Sequence, residues 1–311
     1  MNRTPHALVI AAFVLLAACA SEGDGTRPTS AAQASTPVVS PAPVSSPTPT
    51  EQERPVPGPN KKIPKGAKTI AHHLEAETEA LRDDLREWLD AGSSRRRADL
   101  RPLVLRGLYQ QRLFRHLTKH EGKAKRVVRR LDGKMRSAAA TIEVGANLRA
   151  LVTPVRPPVR FKTHKPAPPG KLKSFYDKAE RRSNIDWHVL ASLNFVESKF
   201  GRVLGPSSAG ARGPMQFLPS TWEEYGNGGD IMDPHDSILA AARYLKAWGA
   251  PDDMRRALYA YNHSDVYVDA VLTYARMMRR NPLNYYDYYF WQVFVITTKG
   301  DQQLTGPGRH R

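Results

Sequence analysis

Cysteine occurs once in 311 residues, at position 19, so no disulfide can close within the chain. Carboxylates are also scarce: 30 Asp and Glu against 47 Lys and Arg leave a net charge of +17 at pH 7. Such a balance draws polyanions and acidic headgroups through long-range, salt-sensitive fields, and says little about fold. A membrane-spanning apolar run is missing as well. The stretch from Ala7 to Ala18 follows a short basic start at Arg3 and falls short of the ~20 residues that a spanning helix needs.

What is present divides the chain. Leu16-Ala17-Ala18-Cys19 resembles a bacterial lipobox, and the single cysteine falls at the position that would be freed for lipid attachment. Residues 1–18 are therefore expected to be a lipoprotein signal peptide. Lipidation of Cys19 supplies two acyl chains, enough for stable membrane anchoring. Residues 19–66 are dominated by Pro, Ser, Thr, Ala and Val, which cannot bury enough surface to offset chain entropy, so a disordered tether is expected.

From 67 to 152 the apolar period becomes helical. Leu74, Leu81, Leu85, Trp88 and Leu89 form one stripe. A second helix holds Val104, Leu108, Leu113 and Leu117, with Pro102 tolerated in its first turn, and a third spans Val128 to Ile142. Between Ser94 and Val152 lie 16 Lys and Arg but only four carboxylates. This basic region suits anionic wall polymers or lipid headgroups, and an exported protein has little access to nucleic acid as a substrate. Prolines make 153–171 a second linker. A catalytic domain is expected over 172–311, its aromatic tail from Tyr285 to Ile296 reading as a strand.

Glu197 is the most informative residue of that domain. In a helix capped by Asp186 and ending before Gly201, it lies about 20° from Leu190 and about 40° from Leu193, where an apolar side chain belongs. A carboxyl buried without a partner raises its pKa, and an acid still protonated near neutrality is what general acid catalysis requires.

Three blocks follow in order: Glu197-Ser198, then Gly213-Pro214-Met215-Gln216-Phe217-Leu218-Pro219-Ser220-Thr221, then Ala260-Tyr261-Asn262. Together they resemble the lytic transglycosylases of the goose-lysozyme-like superfamily over about residues 172–280. The continuation His263-Ser264 to Tyr267-Val268, with Asp230 to Pro234, is most similar to the membrane-bound B-type branch. The resemblance implies a mainly α, lysozyme-like catalytic domain acting on peptidoglycan glycan strands. It implies cleavage between N-acetylmuramic acid (MurNAc) and N-acetylglucosamine (GlcNAc) without water, leaving a 1,6-anhydro ring, with Glu197 as acid and then base. A hydrolytic muramidase and a non-catalytic peptidoglycan-binding lipoprotein are the alternatives.

The same resemblance places Ser207 or Ser208, Gly210, Met215, Gln216, Phe217, Tyr261 and Asn262 around the substrate. Tyr261 is expected to orient the Glu197 carboxyl, and Phe217 to serve either the sugar or the core. His263 is expected to be peripheral. Pro214 departs from the Leu that many relatives carry. Glycosidases commonly use two carboxylates, yet no second one falls in a matching block, and Asp233-Pro234 reads as a helix cap. Residues 225–230 are too poor in oxygen ligands for a Ca²⁺ loop, so neither a metal nor another cofactor is expected.

Overall fold

The computed structural model describes residues 55–92, 99–131, 133–159 and 162–308. Cys19, the expected signal peptide and the expected tether up to residue 54 lie outside them. The remaining tether residues, 55–66, are not free chain. Lys61 Nζ pairs with Glu77 at 3.0 Å, and Arg112 donates to the Pro59 carbonyl at 3.0 Å.

The first layer is helical, as its apolar stripes require. It comprises α1 (Ala67–Asp90), α2 (Arg101–Leu117), α3 (Glu121–Val128) and α4 (Arg136–Ala150). The expected third helix is thus two, separated by a 3₁₀ turn at Gly133–Met135, where glycine weakens helix propagation. Buried Arg106 ties the layer together, reaching Asp84 at 2.7 Å from α2 and Glu77 at 3.3 Å.

Residues 153–159 and 162–168 form no helix, in keeping with their prolines, but they are held. Val155 exchanges backbone hydrogen bonds with Ile296 and Thr298, and His164 N donates to Arg202 O at 2.9 Å. Then follow α5 (Pro169–Ser183), α6 (Trp187–Ser198), α7 (Pro219–Tyr225), α8 (Pro234–Ala247), α9 (Met254–Tyr261), α10 (Asp265–Arg280) and α11 (Leu283–Tyr289). A hairpin of β1 (Phe294–Thr297) and β2 (Gly300–Gln303) follows, with Phe294 opposite Gln303. The architecture is mainly α, as expected.

One expectation changes. The segment 285–296 is not one strand: it begins as α11 and becomes β1 only at Phe294. Tyr285, Tyr288 and Tyr289 are buried at helical spacing, so ring packing overrides β propensity. Helix α6 is buried throughout, at every residue from Val189 to Ser198. It packs most extensively on α10, and its Phe195 ring stacks on Tyr288 at 5.1 Å between centroids. A helix buried on all sides is a core helix, and Glu197 rides on it. No helix among the described residues is long and apolar enough to cross a membrane.

Candidate active site

Helix α6 starts as read, with the Asp186 carboxylate accepting from His188 N at 2.8 Å. It stops two residues before the expected glycine. Lys199 (φ 53°), Phe200 (φ 61°) and Gly201 (φ 84°) are successively left-handed, a conformation that disfavours side chains. Packing enforces the reversal: Phe200 is buried against Phe195 and Tyr285, and Ser198 Oγ accepts from Gly201 N at 2.8 Å. The sharp stop leaves Glu197 in the last turn, facing the loop that follows.

Glu197 is buried, with 9% of the residue exposed. Tyr267 Oη donates to its Oε1, while Oε2 is buried with no hydrogen-bond partner among the described residues. Burial pushes the Glu197 pKa up to about 8, against the opposing pull of the Tyr267 bond and the Lys199 charge. The carboxyl is therefore protonated at neutrality. Because Tyr267 donates to Oε1, the acid's proton falls to Oε2, the buried oxygen without a partner.

Tyr261 does not orient the carboxyl as expected. Its hydroxyl donates to the Met215 carbonyl at 2.5 Å, and Tyr267 takes the orienting position. Tyr261 is the last residue of α9, whereas Tyr267 stands in the first turn of α10, the helix packed along α6. The signal for Tyr267 was already in the sequence, six residues after Tyr261 in the same block.

Three side chains pin the loop 213–217 beneath the acid. Asn194 Nδ2 and Ser198 Oγ both donate to the Pro214 carbonyl, at 2.7 and 2.6 Å, and Tyr261 holds the next one. Pro214 is thus used through its carbonyl, which Leu would offer equally. Gly213 (φ 79°) allows a contact no other residue could make, because a Cβ there would lie 1.9 Å from Ile231 O. Gln216 is buried at φ 50° and donates from Nε2 to Gly213 O at 2.9 Å.

The other named residues separate by burial. Met215 is fully buried, and Phe217 packs among Trp222, Tyr244 and Tyr261, a core position. Ser207 Oγ accepts from Ala209 N and Ala211 N at 3.2 and 3.1 Å, which ties the turn around Gly210 (φ 84°), while Ser208 is exposed. Asn262 is buried beside Tyr261, and its Oδ1 has no partner among the described residues. His263 is exposed, edge-on to Tyr259.

Asp233 caps α8 as read, accepting from His235 N and Asp236 N at 2.8 and 3.1 Å. Its carboxylate, His235 and Asp236 bring possible ligand atoms within 4.8 Å of one another. Those atoms already serve the helix terminus: His235 Nδ1 bonds Asp236 at 2.9 Å, and Asp236 Oδ2 accepts from Asp230 N at 3.0 Å.

Comparison with known proteins bears on this geometry. Residues 174–281 match the model of the family described as the transglycosylase SLT domain, the family that the three blocks resemble. Over 124 residues the chain is 30% identical to a protein of Thiobacillus denitrificans named membrane-bound lytic murein transglycosylase F, covering 37% of this chain and 26% of that one. A protein of the same name from Nitrosospira multiformis is 30% identical over 120 residues, 36% of this chain and 25% of that one. A third, from Methylobacillus flagellatus, is 26% identical over 125 residues, 38% of this chain and 26% of that one. The matched part thus spans about a quarter of these relatives. They carry the F name, so the likeness to the B-type branch rests on the sequence blocks alone. No solved structure matches the chain.

Proposed function

We propose that this chain is a peptidoglycan lytic transglycosylase in which Glu197 is the sole acid/base. The observation that carries the reading is the Glu197 carboxyl itself: buried at the end of α6, fixed through Oε1 by Tyr267 and unpartnered at Oε2, with burial raising its pKa to about 8. Oε2–H protonates the glycosidic oxygen between MurNAc and GlcNAc, and the bond from C1 to that oxygen breaks. The resulting carboxylate then takes the proton of the sugar's 6-hydroxyl as that oxygen closes on C1. The acid is regenerated and no water is consumed. Burial, rather than a neighbouring carboxylate, is the largest cause of the raised pKa, which supports a site with one acid.

Asn262 Oδ1 offers a buried acceptor suited to the N–H of an acetamido sugar, and Met215, Gln216 and Gly210 shape the loop under it. The relatives' names and the lipobox support an extracytoplasmic protein held to the membrane through Cys19. In that arrangement residues 67–152 form a basic arm, 153–171 a connector and 172–311 the catalytic domain. Exposed Arg126, Arg129 and Arg130 leave the arm able to meet anionic wall polymers or headgroups.

Digestion of purified peptidoglycan followed by mass spectrometry tests the reading. The expected products carry 1,6-anhydro-MurNAc ends, and Glu197→Gln yields none. Reducing MurNAc ends would overturn the transglycosylase reading in favour of a muramidase. Undiminished digestion by the variant would remove Glu197 from the chemistry.

A further inference from the structure

Where α2 gives way to α3, two imidazoles lie face to face. His116, in the last turn of α2, and His120, the N-cap of α3, stack with ring centroids 4.3 Å apart. Lys123 Nζ donates to His116 Nε2 at 3.2 Å, and His120 Nδ1 donates to the His116 carbonyl at 2.7 Å. The His120 carbonyl accepts from Lys123 N at 2.9 Å and Ala124 N at 2.8 Å, the bonds that start α3. The stacked pair thus fixes the joint from which α3 grows.

The Lys123 bond dictates a protonation state. An ammonium has protons to give and no lone pair, so His116 Nε2 is bare and its ring neutral. A proton arriving there displaces Lys123 and sets two like charges side by side. A second proton, on His120, would face the first across the stack and lie at the N-terminus of α3, where the helix dipole disfavours a cation.

The surroundings do not relieve this crowding. Burial, then His120, Lys123 and Lys119, holds the His116 pKa below its ordinary value, and none of those charges belongs to α1 or α4. Glu121 of α3 is paired with Lys125 at 2.6 Å, and Asp301 of β2 already answers Arg115, Lys119 and Arg149. Glu143 of α4 lines a groove beside Lys125 and Arg129 that neither histidine lines. Arg112, one turn earlier on α2, donates to the Pro59 carbonyl. The His116 shift is downward, so its linked stability is fully present above about pH 6.5 and is lost as pH falls below it.

We propose that the His116–His120 joint is a pH-sensitive catch, closed at neutral pH and opened by protonation in mild acid, which frees the first turn of α3 and adds positive charge beside Arg126, Arg129 and Arg130. A basic face that gains charge holds polyanions more tightly. That last consequence rests on the proposed role of the arm, whereas the catch does not.

Hydrogen exchange of the full chain between pH 7.5 and 5.0, read by mass spectrometry and corrected for the direct effect of pH, tests the catch without any polymer. Amides of residues 119–124 are expected to lose at least tenfold in protection, beginning below pH 6.5, while those of α1 keep theirs. His116→Gln retains an acceptor for Lys123 and takes up no proton, so its protection should hold throughout. Binding to polyglycerol phosphate should tighten at least threefold from pH 7.5 to 5.5 in the parent and less in the variant. Protection unchanged down to pH 5.0, or the same loss in His116→Gln, would overturn the catch. Should that variant not fold, a parental loss that sets in only below pH 5.5, with the carboxylates, overturns it equally. An opening catch with unchanged polymer binding would overturn its consequence for the arm alone.

Discussion

Between pH 4.5 and about 8, folded chains hold a proton on Glu197 that unfolded chains release. The folded pKa is raised, so the linked stability is fully present below pH 4.5 and is lost as pH climbs through about 8. Glu197→Gln removes that dependence and keeps an acceptor for Tyr267. The variant should be more stable than the parent by on the order of 4 kcal/mol near pH 8, with little difference near pH 4.5, in urea titrations at the two pH values. In the proposed mechanism catalysis follows the same proton, so cleavage should decline above pH 8 as the acid ionises. Tyr267→Phe deletes a bond that lowers the Glu197 pKa. The descending limb of the pH–rate profile should therefore move upward, while kcat drops about 10- to 100-fold through lost orientation. A merely structural tyrosine would lower the rate without moving the limb. At this scale Glu197 was legible because helix phase alone exposes a misplaced carboxyl. Which tyrosine of the third block would meet it was not, since 70 residues separate Tyr267 from Glu197 and only the packing of α10 on α6 joins them.

Helix termini were the most readable elements. Asp186 and Asp233 cap where their side chains can accept amide protons, and Pro234 occupies the first turn behind its cap. The end of α6 was less readable. Gly201 advertises a left-handed residue, but the reversal starts at Lys199 because Phe200 must reach the core, and only tertiary packing imposes that. The loop 213–217 depends on a similar constraint. Gly213→Ala would combine a left-handed φ of 79° with a Cβ 1.9 Å from Ile231 O. It should cost more than about 1 kcal/mol and displace the Pro214 and Met215 carbonyls. Thermal melting would show the first effect. Glycan cleavage should fall beyond what the lost stability explains, because the loop beneath Glu197 would shift. The aromatic tail misled for the opposite reason: its composition favours strand, while its burial spacing is that of a helix.

Across the whole molecule, composition divides the chain into segments but carries no sign of how they join. The proline-rich stretch reads as a linker, yet Val155 pairs with β1, and the basic helices do not stand alone. Gln111 and Gln292 exchange two hydrogen bonds at 2.8 Å, Trp291 Nε1 donates to Gln110 at 2.9 Å, and Arg82 Nη2 donates to Asn284 at 2.8 Å. None of these pairs has a local sequence signal, since polar residues on a helix ordinarily face water. Gly107 is a tight point of the seam, for a Cβ there would come 2.9 Å from Phe290 Cβ. Gly107→Ala should force α2 away from the end of α11 at a cost of about 1–3 kcal/mol. The check is a lowered Tm.

The chain enters this body by a narrow mechanical route. Pro59 and Lys61 are fixed to α2 and α1 by the Arg112 bond and the Glu77 pair. If the chain hangs from a membrane anchor as proposed, a pull from the N-terminal side would load those two helices, neither of which carries Glu197 or Tyr267. The alignment of that pair would then hold until the Arg112 and Lys61 attachments give way.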